Sequence, residues 1–333
     1  RLSGAQPRRF PGPIMTTILI TDHGFSNIDR ERAVIEAAGF RLVEAQCKTA
    51  DEVVIAARAC GATGLLVQWA PVTAAVFAAL PELRVAVRYG IGVDNLDYRA
   101  PAARHVACCN VPDYCIDEVA DHTLALALAL ARQLPQTHAR TQAGTWKIVP
   151  PGPVPAFGTT TFATAGFGRI ARAVHARAKG FGFSRAAYDP FVPDEVFVAV
   201  EGRRLTQEQL FREAGILSMH LPLTDDTRHF VNATTLAQLR PEAILVNTSR
   251  GGLIDTHALA EHLQGGRLGG AGLDVFEQEP LPVDHPLRFA SNTILTSHTA
   301  WFSQASVPRL QRMAAEEAVR VLRGEKPANR LVP

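Results

Sequence analysis

The stretch Thr164-Ala165-Gly166-Phe167-Gly168-Arg169-Ile170-Ala171 decides the fold. Thr160–Thr164 reads as a strand and Arg172–Lys179 as a helix, so the glycines form a G-x-G-x-x-G/A turn between them. Gly166 permits the tight turn, Gly168 lets a pyrophosphate approach the backbone, and the small Ala171 lets helix and strand pack. N–H groups at the start of the helix, from Phe167 to Ile170, then hold phosphates. Asp189 ends the next strand, 21 residues after Gly168. A carboxylate there accepts hydrogen bonds from a ribose diol and repels a 2′-phosphate, so the spacing predicts NAD rather than NADP. One feature is unusual: Ala163, Thr164 and Ala165 make a weak strand where bulky aliphatics are the norm.

Outward from this turn, strand and helix alternate in both directions. On the N-terminal side the strands are Thr17–Thr21, Arg41–Ala45, Gly64–Val67 and Leu83–Arg88, with helices at Asp29–Ala38, Ala50–Ala59 and Val72–Ala79. On the C-terminal side the strands are Ala186–Tyr188, Ile216–Met219, Ala243–Asn247, Gly270–Leu273 and Thr293–Thr296. Such alternation predicts parallel sheets flanked by helices, an α/β fold. A long helix, Ile116–Arg132 with Asp117 as its expected N-cap, and a Pro/Gly-rich arm at 134–158 separate the two series. A final amphipathic helix runs over Ser306–Leu322.

At 333 residues the chain has room for two cores, and 47% hydrophobic with 20% charged residues excludes disordered and fibrous classes. The net charge of +2 resides in Arg1, Arg8 and Arg9; removing those three charges leaves −1. No basic patch for nucleic acid remains. Residues 1–14 are expected to be a disordered or non-native tail, with Met15 as the start. The longest apolar run, residues 119–131, is too short for a membrane span and contains Asp121 and His122. Five cysteines without C-x-x-C spacing predict reduced thiols of a cytoplasmic protein, and no metal is expected.

Three later segments place polar residues at strand ends, where open α/β sheets bind ligands. Arg250 lies on a glycine-flanked turn and suits a planar carboxylate. Asp274, Glu277 and Glu279 follow the next strand, and His298 ends the last. Hydride transfer from a hydroxy acid needs a base for the hydroxyl proton and a cation for the carboxylate. Histidine is the natural base, and a carboxylate on its far ring nitrogen favours the charged form.

The motifs RYGIGVDNLD (88–97), NVPDYCIDEVADHTLALAL (110–128), GFGRIA (166–171), HLPLTDDT (220–227), LVNTSRGGLID (245–255), GLDVFEQEP (272–280) and LTSHTAW (295–301) stand in an order that resembles the D-isomer-specific 2-hydroxyacid dehydrogenase family. The resemblance covers nearly all of Met15 to Pro333. It implies Arg250, Glu279 and His298 as the catalytic trio, with Glu279 chosen over Glu277 because it directly precedes the proline. It places Asp274 near the nicotinamide and Ile91, Gly92 and Val93 on the substrate carboxylate. His220, Thr227 and Thr248 are expected along the cofactor groove, and Trp301 beside the substrate.

The resemblance further implies two Rossmann-like domains, the NAD-binding one (113–302) inserted into a flavodoxin-like substrate domain (15–112 and 303–333), and a homodimer. Domain closure over NAD and a small 2-hydroxy or 2-keto acid is then expected to exclude water. Two departures stand out. Pro155-Ala156-Phe157 replaces the basic pair usual before the nucleotide strand, and Gln68-Trp69-Ala70-Pro71 replaces the arginine cluster of phosphoglycerate-handling members. With Trp301 and Phe302 near His298, an unphosphorylated, bulky substrate is expected. His298 to Ser303 is also similar to the C-terminal binding protein corepressors, which sense NADH and bind peptides; that module is the alternative reading. Formate enzymes carry glutamine at the place of Glu279, and phosphite oxidation is not separated by motif.

Overall fold

The computed structural model describes residues 16–332; the tail expected at residues 1–14, Met15 and residue 333 lie outside the described residues. The chain divides into two compact units. The first runs through Tyr114 and resumes at Ser303, and the second is Cys115–Phe302.

In the first unit β1 (Thr17–Ile20), α1 (Asp29–Ala37), β2 (Arg41–Glu44), α2 (Ala50–Cys60), β3 (Gly64–Val67), α3 (Ala74–Ala79), β4 (Val85–Arg88) and β5 (Ala107–Cys109) follow in order. The five strands are parallel in the order β2-β1-β3-β4-β5, the flavodoxin-like arrangement. β1 and β3 are buried along their whole length, as central strands covered on both faces must be. α2 begins where Thr49 and Glu52 cap each other's backbone N–H groups, and stops at Gly61 in the left-handed conformation. The C-terminal helix Ser306–Leu322 packs its apolar stripe (Leu310, Ala314, Ala318, Leu322) on α1, β3 and β4. β5 was not anticipated; three residues after a short 3-10 turn give no periodic signal.

The second unit contains α4 (Ile116–Ala131), α5 (Leu134–Gln142), β6 (Thr161–Ala165), α6 (Arg169–Gly180), β7 (Ser184–Tyr188), α7 (Asp194–Ala199), β8 (Arg203–Arg204), α8 (Gln207–Glu213), β9 (Ile216–Met219), α9 (Ala233–Leu236), β10 (Ile244–Asn247), α10 (Thr256–Gln264), β11 (Gly270–Leu273) and β12 (Thr293–Leu295). Its seven strands are parallel in the order β12-β11-β10-β9-β6-β7-β8. The order reverses at β6, which sets the crevice for a ligand at the carboxyl ends of β6 and β9. α4 lies against β10 and β11 because Gly272 has no side chain: a Cβ there would sit 2.9 Å from the Leu126 Cβ.

Three local expectations change. Cys115, not Asp117, is the N-cap of α4; Asp117 lies inside the first turn, where its charge favours the helix N-terminus and pairs with Arg177 at 2.8 Å. The 134–158 arm begins with a helix, α5, whose polar sequence hides its period. The missing basic pair at residues 155–157 is replaced by an aromatic stack, Phe157 on Phe183 at 4.5 Å and Phe183 edge-on to Phe162. The weak strand β6 also finds its reason. Thr164 bonds the His175 ring of α6 at 3.2 Å, and Ala163 and Ala165 leave room for Phe211, Leu217 and Met219 in the core.

Candidate active site

The Gly166–Ala171 turn is built as a phosphate cradle. Gly166 sits at φ +94, and a Cβ on it would lie 2.6 Å from the His220 carbonyl oxygen, so no other residue fits. Gly168 starts α6 with no side-chain cap and open space around it, and the first turn carries no acidic side chain. N–H groups such as that of Ile170 are thus presented to an anion by a twelve-residue helix. Asp189 accepts from the N–H groups of Phe167 and Phe191, both at 2.9 Å. Its oxygens keep further lone pairs for a ribose diol. These residues fit a dinucleotide.

Phe167 itself points inward, stacked on Phe197 and edge-on to His175, so only its backbone faces the turn. Arg169 is exposed at the helix start. His220 shares a hydrogen with Ser218 at 2.8 Å; desolvation of its ring, then the neighbouring His175, pushes it down to about 3. Its ring is therefore neutral at ordinary pH. Thr227 closes the 222–227 turn through the Pro222 carbonyl, and Thr248 is bonded to Thr123 of α4.

Further along the same sheet edge, Arg250 leaves the end of β10 on a turn held by Asn247, whose amide donates to the Arg250 carbonyl at 2.9 Å and accepts from Ser249 N–H at 3.0 Å. His298 has φ +56, a left-handed backbone that turns its ring back toward Glu279. Its Nδ1 lies 2.7 Å from Glu279 Oε2, and Glu279 Oε1 accepts from Phe276 N–H at 2.9 Å. Burial pushes the Glu279 carboxyl up, but the His298 bond and charge, the Phe276 N–H and the Arg250 charge outweigh it and hold the group below the usual carboxylate range. An ionised Glu279 fixes the proton of His298 on Nδ1 and leaves Nε2 for chemistry.

Asp274 is fully buried at the end of β11 and accepts from Thr296 Oγ1 at 2.6 Å and from the N–H groups of Thr299 and Ala300, each at 2.9 Å. Its own carbonyl accepts from His298 N–H at 2.8 Å. Spacing did not reveal this: Asp274 holds the loop that carries His298. Trp301 donates its indole N–H to the His298 carbonyl at 2.9 Å.

In the first unit, the N–H groups of Ile91, Gly92 and Val93 have no acceptor among the described residues. Asn110 donates to the Ile91 carbonyl at 2.7 Å, and Asn95 ties the same loop to the carbonyls of Gln68 and Ala70.

Residues 124–300, which hold this strand-end cluster and the dinucleotide turn, match the family model described as D-isomer specific 2-hydroxyacid dehydrogenase, NAD binding domain. The chain belongs to the D-isomer-specific 2-hydroxyacid dehydrogenase family. It is 37% identical over 263 residues to the glyoxylate reductase of Korarchaeum cryptofilum, covering 78% of this chain and 79% of that protein. It is 38% identical over 260 residues to the D-3-phosphoglycerate dehydrogenase of Methanocaldococcus jannaschii; this takes in 78% of the chain but only 49% of that longer protein. The crystal structure of TT0316 protein from Thermus thermophilus superposes with a TM-score of 0.82 at 31% identity, over 95% of this chain and 100% of that one. As a family member the chain is an NAD-linked oxidoreductase of D-2-hydroxy acids. Among the described residues no helix is long and apolar enough to cross a membrane.

Proposed function

We propose that the chain interconverts a small, unphosphorylated 2-keto acid and its D-2-hydroxy acid, with Arg250, Glu279 and His298 as the catalytic residues. The observation that carries the reading is the 2.7 Å contact of Glu279 with His298 Nδ1, which orients the ring and leaves Nε2 to exchange a proton with the substrate O2. Arg250 takes the carboxylate and polarises the C2 oxygen; the family resemblance is what supports Ile91, Gly92 and Val93 as substrate-binding residues. Bound NADH supplies the hydride to C2, and the reverse reaction returns it. During reduction His298 gives the Nε2 proton to O2, while its Nδ1–H stays bonded to Glu279, which holds the ring in place.

Asp274 and Thr248 shape the nicotinamide side, and Asp189, Gly166, Gly168, Arg169, Ile170, His220 and Thr227 the rest of the cofactor groove. The substrate is placed as unphosphorylated because Gln68 and Trp69 occupy the end of β3, where no arginine stands. Trp69 is 59% exposed there, and Trp301, its indole N–H already used, offers an apolar face. Trp146, Ile148 and Val149 are exposed on the arm after α5, and a second copy of the chain is proposed to cover them. The five thiols are free, with burial pushing Cys108 up to about 12, which suits a reducing cytoplasm.

The test is loss of NADH absorbance with glyoxylate, hydroxypyruvate, pyruvate, 2-ketoisocaproate and phenylpyruvate. Turnover that requires His298 supports the reading. Tight NADH binding without turnover of any keto acid would replace it with the peptide-binding module, and NAD reduction by phosphite with phosphite oxidation.

A further inference from the structure

Gly251 and Gly252 follow Arg250 directly, and a second carboxylate–histidine pair joins the two backbone segments that pack against them. A Cβ on Gly251 would lie 1.9 Å from the carbonyl carbon of Phe276 and 2.4 Å from the nitrogen of Glu277. The turn behind Arg250 thus rests backbone against backbone on the loop that carries Glu279. The Gly252 carbonyl accepts from His229 N–H at 2.8 Å. His229 has φ +51, and its Nε2 meets Glu277 Oε1 at 2.6 Å. The other oxygen of Glu277 accepts from the Thr256 N–H at 3.1 Å and the Thr256 hydroxyl at 2.6 Å, at the start of α10.

The direction of these bonds is settled by a neighbour. His285 Nδ1 accepts from Leu287 N–H at 3.2 Å, so its proton sits on Nε2 and is donated to Thr256 Oγ1 at 3.3 Å. The hydroxyl proton of Thr256 is left for Glu277. Burial pushes Glu277 up, but the Thr256 and His229 bonds and the His229 charge bring it below the usual carboxylate range. On the other side of this knot, Phe276 N–H is the donor to Glu279 Oε1.

We infer that His229 and Glu277 are positioning residues: a clasp that keeps the Arg250 turn in register with the Glu279 loop, touching neither substrate nor cofactor. The inference rests on the roles proposed for Arg250, Glu279 and His298. Two features separate it from plain stabilisation. Both side chains are partly exposed, at 40% and 29%, so neither fills the core. The pair also sits close to both catalytic segments in the chain: the His229 backbone N–H holds the Gly252 carbonyl, two residues after Arg250, and Glu277 lies two residues before Glu279.

The test compares Glu277→Ala, His229→Ala, the double variant and His229→Gln, whose amide can still donate to Glu277. Each alanine variant should lower kcat for the best keto acid by about 10–10²-fold, since displacing a reacting group by an ångström costs up to ~10². NADH affinity should stay unchanged, the double variant should be no worse than the worse single, and His229→Gln should recover most of the loss. Wild-type kcat and KM in all four, with only Tm lowered, would overturn the clasp. If the alanine variants do not fold, Glu277→Gln and His229→Gln carry the same comparison of kcat against Tm. Hydrogen exchange at Phe276 N–H gives a readout without turnover: Glu277→Ala should speed it, and an unchanged rate rejects the clasp. A wild-type protein that reduces no keto acid would instead sink the dehydrogenase reading, with the exchange result still deciding whether the clasp exists.

Discussion

At the carboxyl end of β11, Asp274 is buried and gathers Thr296, Thr299 and Ala300 from the loop after β12. At the carboxyl end of β1, Asp22 is buried and gathers Thr21 Oγ1 at 2.8 Å, Gln68 N–H at 3.1 Å and Trp69 N–H at 2.6 Å, the latter two from the loop after β3. Both carboxylates satisfy backbone donors that the end of a parallel strand leaves unpaired. In the nucleotide-binding unit the stapled loop presents His298 with its Glu279. In the other it presents Trp69, with its ring over Gly24. One device therefore holds a histidine–carboxylate pair in one unit and an exposed indole in the other.

The sharpest way to break this comparison is to remove the proton carrier. His298→Asn should lower keto-acid turnover by about 10²–10⁴-fold, the range of general acid–base catalysis. Asparagine tolerates the left-handed backbone at this position, so the loss should come without misfolding. Near-normal rates in a folded variant would remove His298 from the mechanism.

How much of this was legible follows the range of each contact. The dinucleotide turn and the paired alternating series were readable, because glycine turns and burial patterns are local signals; Arg250, Glu279 and His298 were named from the resemblance, and the structure brings Glu279 and His298 into contact. The sequence predicted Asp274 near the nicotinamide but not its grip on the His298 loop, since those partners lie 22 to 26 residues away in sequence. The clasp was hidden for the same reason: Glu277 and His229 are separated by 48 positions. Phe167 was expected among the cofactor-binding residues; its N–H is taken by Asp189 and its ring lies in the core, because its direction depends on Phe197 and His175. β5 and α5 were missed where short length or polar composition erased the period.

Acid should separate the two units. Burial, then the charge of Arg185, pushes His175 down to about 4, whereas the unfolded ring titrates near 6.5. Below 6.5 the unfolded chain binds a proton that the folded one refuses, so the stability of the second unit falls as pH drops toward 4. The total is about 3 kcal/mol at ~1.4 kcal/mol per pH unit. The carboxyl of Glu31, buried in the first unit between Tyr89 and Gln311, is raised by burial despite their hydrogen bonds. Its contribution has the opposite sign: full below the ordinary carboxylate pKa and lost as pH rises through the folded one. Hydrogen exchange followed from pH 6.5 to 4.5 should show β6 and β9 opening before β1 and β3. Equal loss in both sheets would reject the contrast.

Cutting the staples themselves should have smaller effects of different kinds. Asp274→Ala removes the acceptor of the Thr299 N–H and of the buried Ala300 N–H, the latter at a cost of about 1–3 kcal/mol in stability. By loosening His298 it should also lower kcat, by about 10–10²-fold. Asp22→Ala should cost similar stability but leave kcat for glyoxylate nearly intact, because no proton-transfer group hangs from that loop. Steady-state rates beside thermal melts separate the two outcomes. A large kcat loss in Asp22→Ala would show that the first sheet does more than shape the site.

The smallest effect expected is one of selection. Trp69 is an exposed indole at the end of β3, and Trp69→Ala should shift the ratio of kcat/KM between phenylpyruvate and glyoxylate toward glyoxylate by about tenfold, within the 1–3 kcal/mol that modest changes in apolar contact provide. Turnover of glyoxylate itself should barely move, since it carries no apolar side chain at C2. The indole shields Gly24, where a Cβ would lie 2.7 Å from Trp69 Cη2, so a Tm control is run beside the kinetics. An unchanged ratio in a stable variant would detach Trp69 from substrate choice and leave Asp22 holding a loop for packing alone.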